Sequence, residues 1–315
     1  VASDFKTNEW AVILGGSSGF GLATAHELAA HGMNLAIVHR DRRGAMGRIE
    51  EEFEHIRATE VRLVTFNSDA LSPGVRDDIL DSLSDKLGDQ GRIRFLLHSI
   101  AFGNLKLVVH EARRRPESLA VLATELKIDA DTLQAAVDHV FDDGADGLAG
   151  IASPPEYSES LFLDEEDMAR TVHAMGTSLL GWVQAIHRRD LFAADARVFG
   201  LTSEGNTVAW KGYAAVAAAK VALESIARSI AVEFAPYGIR CNVIQAGVTD
   251  TPALRMIPGN RHLMAEARSR NPMGRLTRPE DVARVLCLLA RDEAGWVNGE
   301  VIRVDGGEHI SGVRR

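Results

Sequence analysis

The sequence predicts an open, doubly wound α/β sheet of seven parallel strands. Three observations predict it. Short apolar runs alternate with helical segments along most of the chain, a glycine-rich turn joins the first run to the first helix, and no repeat interrupts that rhythm. Right-handed crossovers between successive strands give the doubly wound arrangement. The 315 residues are 46% hydrophobic and 25% charged, which is enough apolar material for one large core.

The elements follow in order. Residues 9–14 (EWAVIL) form an apolar run that ends in glycines and read as a buried strand. A helical stretch over 23–30 is stopped by His31 and Gly32. Strands are expected at 34–38, 61–66 and 93–97, with helices at 47–58 and 75–87 between them, the second closed by Gly88. The pattern resumes with one long helix over 165–186, a strand at 197–202, an alanine-rich helix over 213–234 and a strand at 239–244. A helix over 279–290 starts on Pro279, a favoured first position, and 300–304 is the last strand.

Residues 104–157 carry no strand signal. Helical patterns at 117–126 and 130–141 are followed by loop-like sequence at 142–155. Connections in such units are usually short, so this stretch is an insertion after the fourth strand, on the side where open sheets bind ligands. The predicted organisation is a single Rossmann-type domain over 1–315 with the insertion inside it. The insertion holds a basic cluster at 110–116 (HEARRRP), read as solvated charge or as a contact for an acidic carrier.

The first turn reads Gly15-Gly16-Ser17-Ser18-Gly19-Phe20-Gly21 between strand and helix. Gly15 suits the tight turn, Gly19 lets backbone approach a pyrophosphate, and Gly21 allows close helix packing on the sheet. The helix start offers free N–H groups and a positive dipole end to phosphates. The second strand leads into His39, Arg40 and Asp41, where a dinucleotide lacking a 2′-phosphate usually meets an acidic residue. His39 and Arg40 take that place, and Arg40, helped by Arg42 or Arg43, suits a 2′-phosphate, so NADP(H) is favoured over NAD(H). Asp69, followed by Ala70, is placed to accept a hydrogen bond from adenine, or to cap a turn.

Tyr213 and Lys220 stand seven residues apart on one predicted helix, nearly two turns, and therefore on one face. An ammonium beside a phenol is expected to lower the phenol's pKa and to sharpen it as a donor to a developing oxyanion. Thr202 and Ser203 end the preceding strand and complete the catalytic candidates.

The chain resembles the short-chain dehydrogenase/reductase superfamily. The resemblance rests on GGSSGFG (15–21), Asp69, HSIAF (98–102), the Tyr/Lys helix, APYGIRCNVIQAG (235–247) and VNGEVIRVDGG (297–307), in the family's order and over nearly all the chain outside the insertion. Six residues between Tyr213 and Lys220, together with the form of HSIAF, are similar to the enoyl-acyl-carrier-protein reductases of that superfamily. The resemblance implies hydride addition to Cβ of an enoyl thioester carried by acyl-carrier protein or coenzyme A. Tyr213 would hydrogen-bond the enolate oxygen, and Lys220 would hold the nicotinamide ribose. Ser99, Ile100 and Ala101 would line the adenosine and ribose side, and Gly247, Val248, Thr249 and Thr251 would close over nicotinamide and pyrophosphate. It also implies that residues 252–271 form a lid and that the long helices build a homotetramer or homodimer. Thr202-Ser203 instead resembles the serine site of carbonyl reductases, which keeps an NAD(P)H-dependent carbonyl reductase or alcohol dehydrogenase as the alternative. A non-catalytic dinucleotide sensor is the third reading.

Other features exclude whole classes of function. The net charge of -9 argues against nucleic-acid binding. No apolar run is long enough to span a membrane, and the polar start lacks a signal-peptide core, so a cytoplasmic protein is expected. Cys241 and Cys287 lack metal-ligand spacing and read as buried thiols, with no metal expected.

Overall fold

The computed structural model describes residues 4–110, 117–158 and 161–312. Seven strands form one parallel sheet: β1 (Glu9–Leu14), β2 (Asn34–His39), β3 (Leu63–Asn67), β4 (Arg92–His98), β5 (Phe192–Ser203), β6 (Ile239–Ala246) and β7 (Val301–Val304). Their order is β3-β2-β1-β4-β5-β6-β7, so the chain reverses direction of growth between β1 and β4. A cleft opens at the carboxyl ends of strands at such a switch point.

Both faces of the sheet are covered, which explains why the strands read as unbroken apolar runs rather than alternating ones. In β1, Trp10, Val12 and Leu14 pack against one layer, with Leu80 and Leu83 of α3 (Pro73–Leu87), Trp182 of α7 (Ser178–Arg188) and Leu223 of α8 (Ala214–Glu233). Ala11 and Ile13 face the opposite layer, made by α1 (Gly19–Ala30), α2 (Met46–Arg57) and α11 (Pro279–Ala290). Truncating any such buried Leu or Ile to Ala costs about 2–5 kcal/mol.

Two findings depart from the sequence reading. The expected long helix is three pieces: α6 (Glu165–Val172), a π-helical turn over His173–Thr177, and α7. Helix α8 starts at Ala214, so Tyr213 is its N-cap rather than a helical residue. Among the described residues no helix is long and apolar enough to cross a membrane.

The insertion folds into α4 (Glu117–Leu126), α5 (Ala130–Asp142) and a 3-10 turn at Asp146–Leu148. Asp129 caps α5 by accepting from the Thr132 N–H at 2.9 Å. Leu119, Val137, Phe141 and Ala152 form a separate small core, which also takes Ala265 from α10 (Asn260–Arg270). Arg261 of α10 donates to the Phe141 carbonyl at 2.6 Å, and Arg268 is paired bidentately with Asp146. The predicted lid over 252–271 is thus two helices, α9 (Pro252–Arg255) and α10, with α10 docked on the insertion. The arginines at 113–115 of the basic cluster lie outside the described residues.

Candidate functional site

The glycine turn sits at the switch point. Gly15 has φ +86°, a left-handed conformation that only glycine adopts without strain. A Cβ on Gly15 would lie 2.6 Å from the Ser99 carbonyl oxygen, so the ends of β1 and β4 touch there. A Cβ on Gly21 would lie 2.2 Å from the Gly15 carbonyl oxygen. Gly21 is therefore small because of the turn's own backbone, which corrects the expected packing on the sheet. Gly19 has φ +53° and faces Thr251, whose methyl would stand 3.4 Å from an added Cβ. Ser18 is the N-cap of α1 but makes no side-chain capping bond, and Ser17 beside it is buried. Phe20 packs at the margin of the core below. The cradle so formed, with uncapped helix N–H groups at its base and Thr251 opposite, has the shape and polarity for a pyrophosphate.

The loop after β6 forms the other wall. Thr249 donates to the Gly247 carbonyl at 2.9 Å, and Thr251 caps α9 by accepting from Leu254 N–H at 3.2 Å. The Val248 N–H donates to Glu308 at 3.3 Å. Glu308 is buried, and burial raises its pKa although Arg270 opposes the shift. Arg270, the last residue of α10, also forks onto Glu204 at 2.9 and 2.6 Å, next to Ser203. Sequence reasoning missed this cluster, whose members lie more than thirty residues apart in the chain.

The adenosine side differs from expectation in two ways. His39 is turned into the protein: its Nδ1 lies 2.9 Å from Asp41 and its ring packs edge-on against Phe53. It does not face the cleft, so Arg40 is left as the cation there. Arg40 lies over the exposed Phe102 ring at 4.9 Å and donates to Asp69 at 3.0 Å. Asp69 also accepts from the Leu71 N–H at 3.0 Å, so the turn-capping role holds. The Ala70 carbonyl accepts from Trp182 Nε1 at 2.9 Å, which fixes this turn to a tryptophan of the core. Ser99, Ile100 and Ala101 leave β4 beside Gly15, with Ile100 packed on the core.

At the carboxyl edge, the Ser203 and Tyr213 hydroxyls stand 3.5 Å apart. Thr202 is engaged elsewhere, donating to Glu224 at 2.6 Å, where Asn206 donates as well. Lys220 is buried and donates to the Leu201 carbonyl at 2.8 Å. Burial pushes its pKa down to about 8, with Glu224 opposing the shift. The expected lowering of the phenol is overturned: burial raises the Tyr213 pKa, and only the Ser203 hydroxyl acts against that. The lysine ammonium is held on a backbone carbonyl instead of the phenol. A phenol kept protonated is a donor, and a donor is what a developing oxyanion requires.

Beneath Lys220, His98 is buried with its Nε2 2.8 Å from the Ser178 hydroxyl, which itself donates to the Ala174 carbonyl in the π turn. The hydroxyl therefore accepts from the imidazole. Burial and then the neighbouring Lys220 charge lower the His98 pKa to about 3. The folded state thus resists a proton that the unfolded chain takes up below 6.5. The neutral imidazole's contribution is complete above pH 6.5 and is lost as pH falls toward 3, at about 1.4 kcal/mol per unit. In urea unfolding at pH 7 and pH 5, His98→Gln is expected to remove about 2 kcal/mol of the acid loss seen in the wild type. An identical acid loss in both proteins would disprove the assignment.

Comparison with known proteins follows this geometry. A family model described as enoyl-(acyl carrier protein) reductase matches residues 128–309, more than half of the chain. The cis-4-hydroxycyclohexanecarboxylate dehydrogenase of Sinomonas cyclohexanicum is 32% identical over 159 residues, covering 50% of this chain and 62% of that protein. The enoyl-[acyl-carrier-protein] reductase [NADH] FabI of Aquifex aeolicus is 41% identical over 101 residues, covering 32% of this chain and 37% of that protein. The chain spans 42% to 62% of the length of the first three curated relatives it matches. In fold, the crystal structure of FabI from Candidatus Liberibacter asiaticus superposes with a TM-score of 0.72 at 18% identity, covering 100% of both chains. The sheet, the glycine cradle and the match across β5, β6 and β7 agree: the chain belongs to the enoyl-(acyl carrier protein) reductase family within the short-chain dehydrogenase/reductases.

Proposed function

We propose that the chain reduces the 2,3-double bond of an enoyl thioester, on acyl-carrier protein or coenzyme A, with NADP(H) as cofactor. The observation that carries this reading is the Tyr213 phenol, kept protonated at the carboxyl edge of the sheet, with Lys220 seven residues on. A bound nicotinamide supplies the hydride. As hydride reaches Cβ, the electron pair of the double bond moves onto the thioester oxygen. Tyr213 donates a hydrogen bond to that oxygen, and Cα then takes a proton from water. Lys220, oriented by the Leu201 carbonyl, holds the nicotinamide ribose. Gly15, Ser17, Ser18, Gly19, Phe20 and Gly21 cradle the pyrophosphate, opposite Gly247, Val248, Thr249 and Thr251. Ser99, Ile100, Ala101, Asp69 and Ala70 border the adenosine. The whole chain acts as one catalytic domain, and the exposed side of α8 at Val221 and Val232 suits contact with further copies in a dimer or tetramer.

The experiment follows NADPH absorbance with a trans-2-enoyl thioester and a 3-oxoacyl thioester side by side. Enoyl turnover is the expected result. Turnover of the 3-oxoacyl thioester alone would favour the carbonyl-reductase reading, whose support is the Ser203 hydroxyl against Tyr213.

Arg40 carries the NADP(H) preference. It is half exposed and its ion-pair partner in the cleft is Asp69, so a 2′-phosphate can recruit it at small cost. Arg40→Ala is expected to weaken NADPH about tenfold in direct titration while changing NADH less than twofold. Equal losses for both nucleotides would remove the 2′-phosphate role.

A further inference from the structure

The insertion builds a wall beside the reactive phenol. Its entry, residues 104–110, is fixed at several points. Leu107 pairs with Phe162 in a parallel bridge, and the Leu163 N–H donates to the Leu107 carbonyl at 2.9 Å. The His110 ring stands edge-on to Phe162 at 4.4 Å. Lys106 is anchored to Asp167 of α6 at 2.5 Å, and the Asn104 N–H donates to Thr171 at 3.0 Å. On this pinned segment Val108 and Val109 are nonetheless 67% and 66% exposed. With Trp210, Tyr213 and Ala217 they line a cavity of about 460 Å³.

That volume lies within the range of small-molecule sites. Taking about 30 Å³ per non-hydrogen atom, the share of a water molecule, it holds roughly fifteen such atoms. A four-carbon acyl group fills about a quarter of it, and a chain of eight to ten carbons more than half. The lining is mostly apolar, with Lys106 held by Asp167 and with His110 and Lys211 as its other basic side chains, so the body of the site suits hydrocarbon.

We propose that this cavity is the acyl-tail site, and that the insertion makes the chain selective for a medium-length apolar acyl group of about eight to ten carbons. The inference takes the chemistry at Tyr213 from the enoyl-thioester reading, but the binding does not depend on it. Trp210 supplies a probe that needs no turnover. Titration with the saturated thioester decanoyl-pantetheine is expected to give a saturable change in tryptophan fluorescence, absent in Trp210→Phe. Trp10 and Trp182 are sealed in the core, and the exposed Trp296 is not part of the cavity lining, so these three give a constant background. In parallel, kcat/KM is compared for trans-2-decenoyl- and trans-2-butenoyl-pantetheine. The wild type is expected to favour decenoyl at least tenfold, and Val109→Trp, which fills the cavity, to reduce that ratio at least tenfold. Val109→Ser, at an exposed position that tolerates a polar residue, is expected to reduce it about threefold. No saturable fluorescence change, or a ratio untouched by both variants, overturns the proposal. Calorimetric binding of decanoyl-pantetheine lost in Val109→Trp, with neither enoyl thioester reduced, upholds the cavity and defeats the enoyl reading. Equal reduction of both thioesters by the wild type upholds the enoyl reading and defeats the cavity.

Discussion

Tyr213→Phe is expected to lower kcat for enoyl-thioester reduction by about 10²- to 10³-fold, the usual loss when one donor to a developing oxyanion is removed. The substitution deletes a single oxygen. The ring remains between Gly205 and the N-terminus of α8, where a Cβ on Gly205 would lie only 2.5 Å from it, so packing is preserved. Cofactor affinity is expected to stay within twofold, because the glycine cradle and Lys220 are untouched. Single-turnover kinetics with NADPH in excess isolate the chemical step from product release. Ser203→Ala sharpens the result. Its hydroxyl is the hydrogen-bond partner that shifts the Tyr213 pKa downward, so its removal leaves the phenol more firmly protonated. A modest effect on enoyl turnover is then expected, while a carbonyl reductase would lose most of its activity. Tyr213→Phe turning over at more than a third of the wild-type rate would exclude the phenol from the reaction.

The second large effect is expected at Gly21. A methyl group there would sit 2.2 Å from the Gly15 carbonyl oxygen, 2.9 Å from its carbon and 3.0 Å from Gly16 Cα. All three are backbone atoms and cannot rotate away, so the turn has to open. Gly21→Ala is expected to raise the Kd for NADPH at least tenfold and to destabilise the fold by about 1–3 kcal/mol, the usual range for overpacking. Calorimetry and thermal unfolding measure the two effects separately. Gly74→Ala is the control, since a Cβ there meets nothing within 4 Å and α3 gains a better helix former. Unchanged NADPH binding in Gly21→Ala would show that the turn does not hold the dinucleotide.

The strands were legible because a parallel sheet covered on both faces needs continuous apolar runs, and β1 appears in the sequence with its observed bounds. The two insertion helices were legible for a different reason: each is amphipathic and begins or ends on a recognisable polar signal, such as Asp129 before α5. The π turn was not legible. Its extra residue per turn leaves apolar residues on both sides of His173–Thr177, so the periodicity of one long helix is imitated. At the site, residue identity could be read but direction could not. His39 and Arg40 are neighbours of similar chemistry, yet Asp41 and Phe53 draw the first inward while the second stays in the cleft. Lys220 illustrates the same limit, because the Leu201 carbonyl that captures it belongs to strand β5 and not to its own helix.

The docking of α10 on the insertion bears on how often the enzyme can exchange its contents. In a loose surface loop, access is governed by local fluctuation on nanosecond to microsecond times. Here α10, the expected lid helix, is bolted to the insertion through Arg268 and Asp146, and through Ala265 set among Leu119 and Phe141. Unroofing the cleft means swinging that whole assembly, or breaking an ion pair and wetting an oily contact. Such collective movements run on microsecond to millisecond times, and under the proposed function departure of the spent ligands, rather than bond making, is expected to limit the cycle.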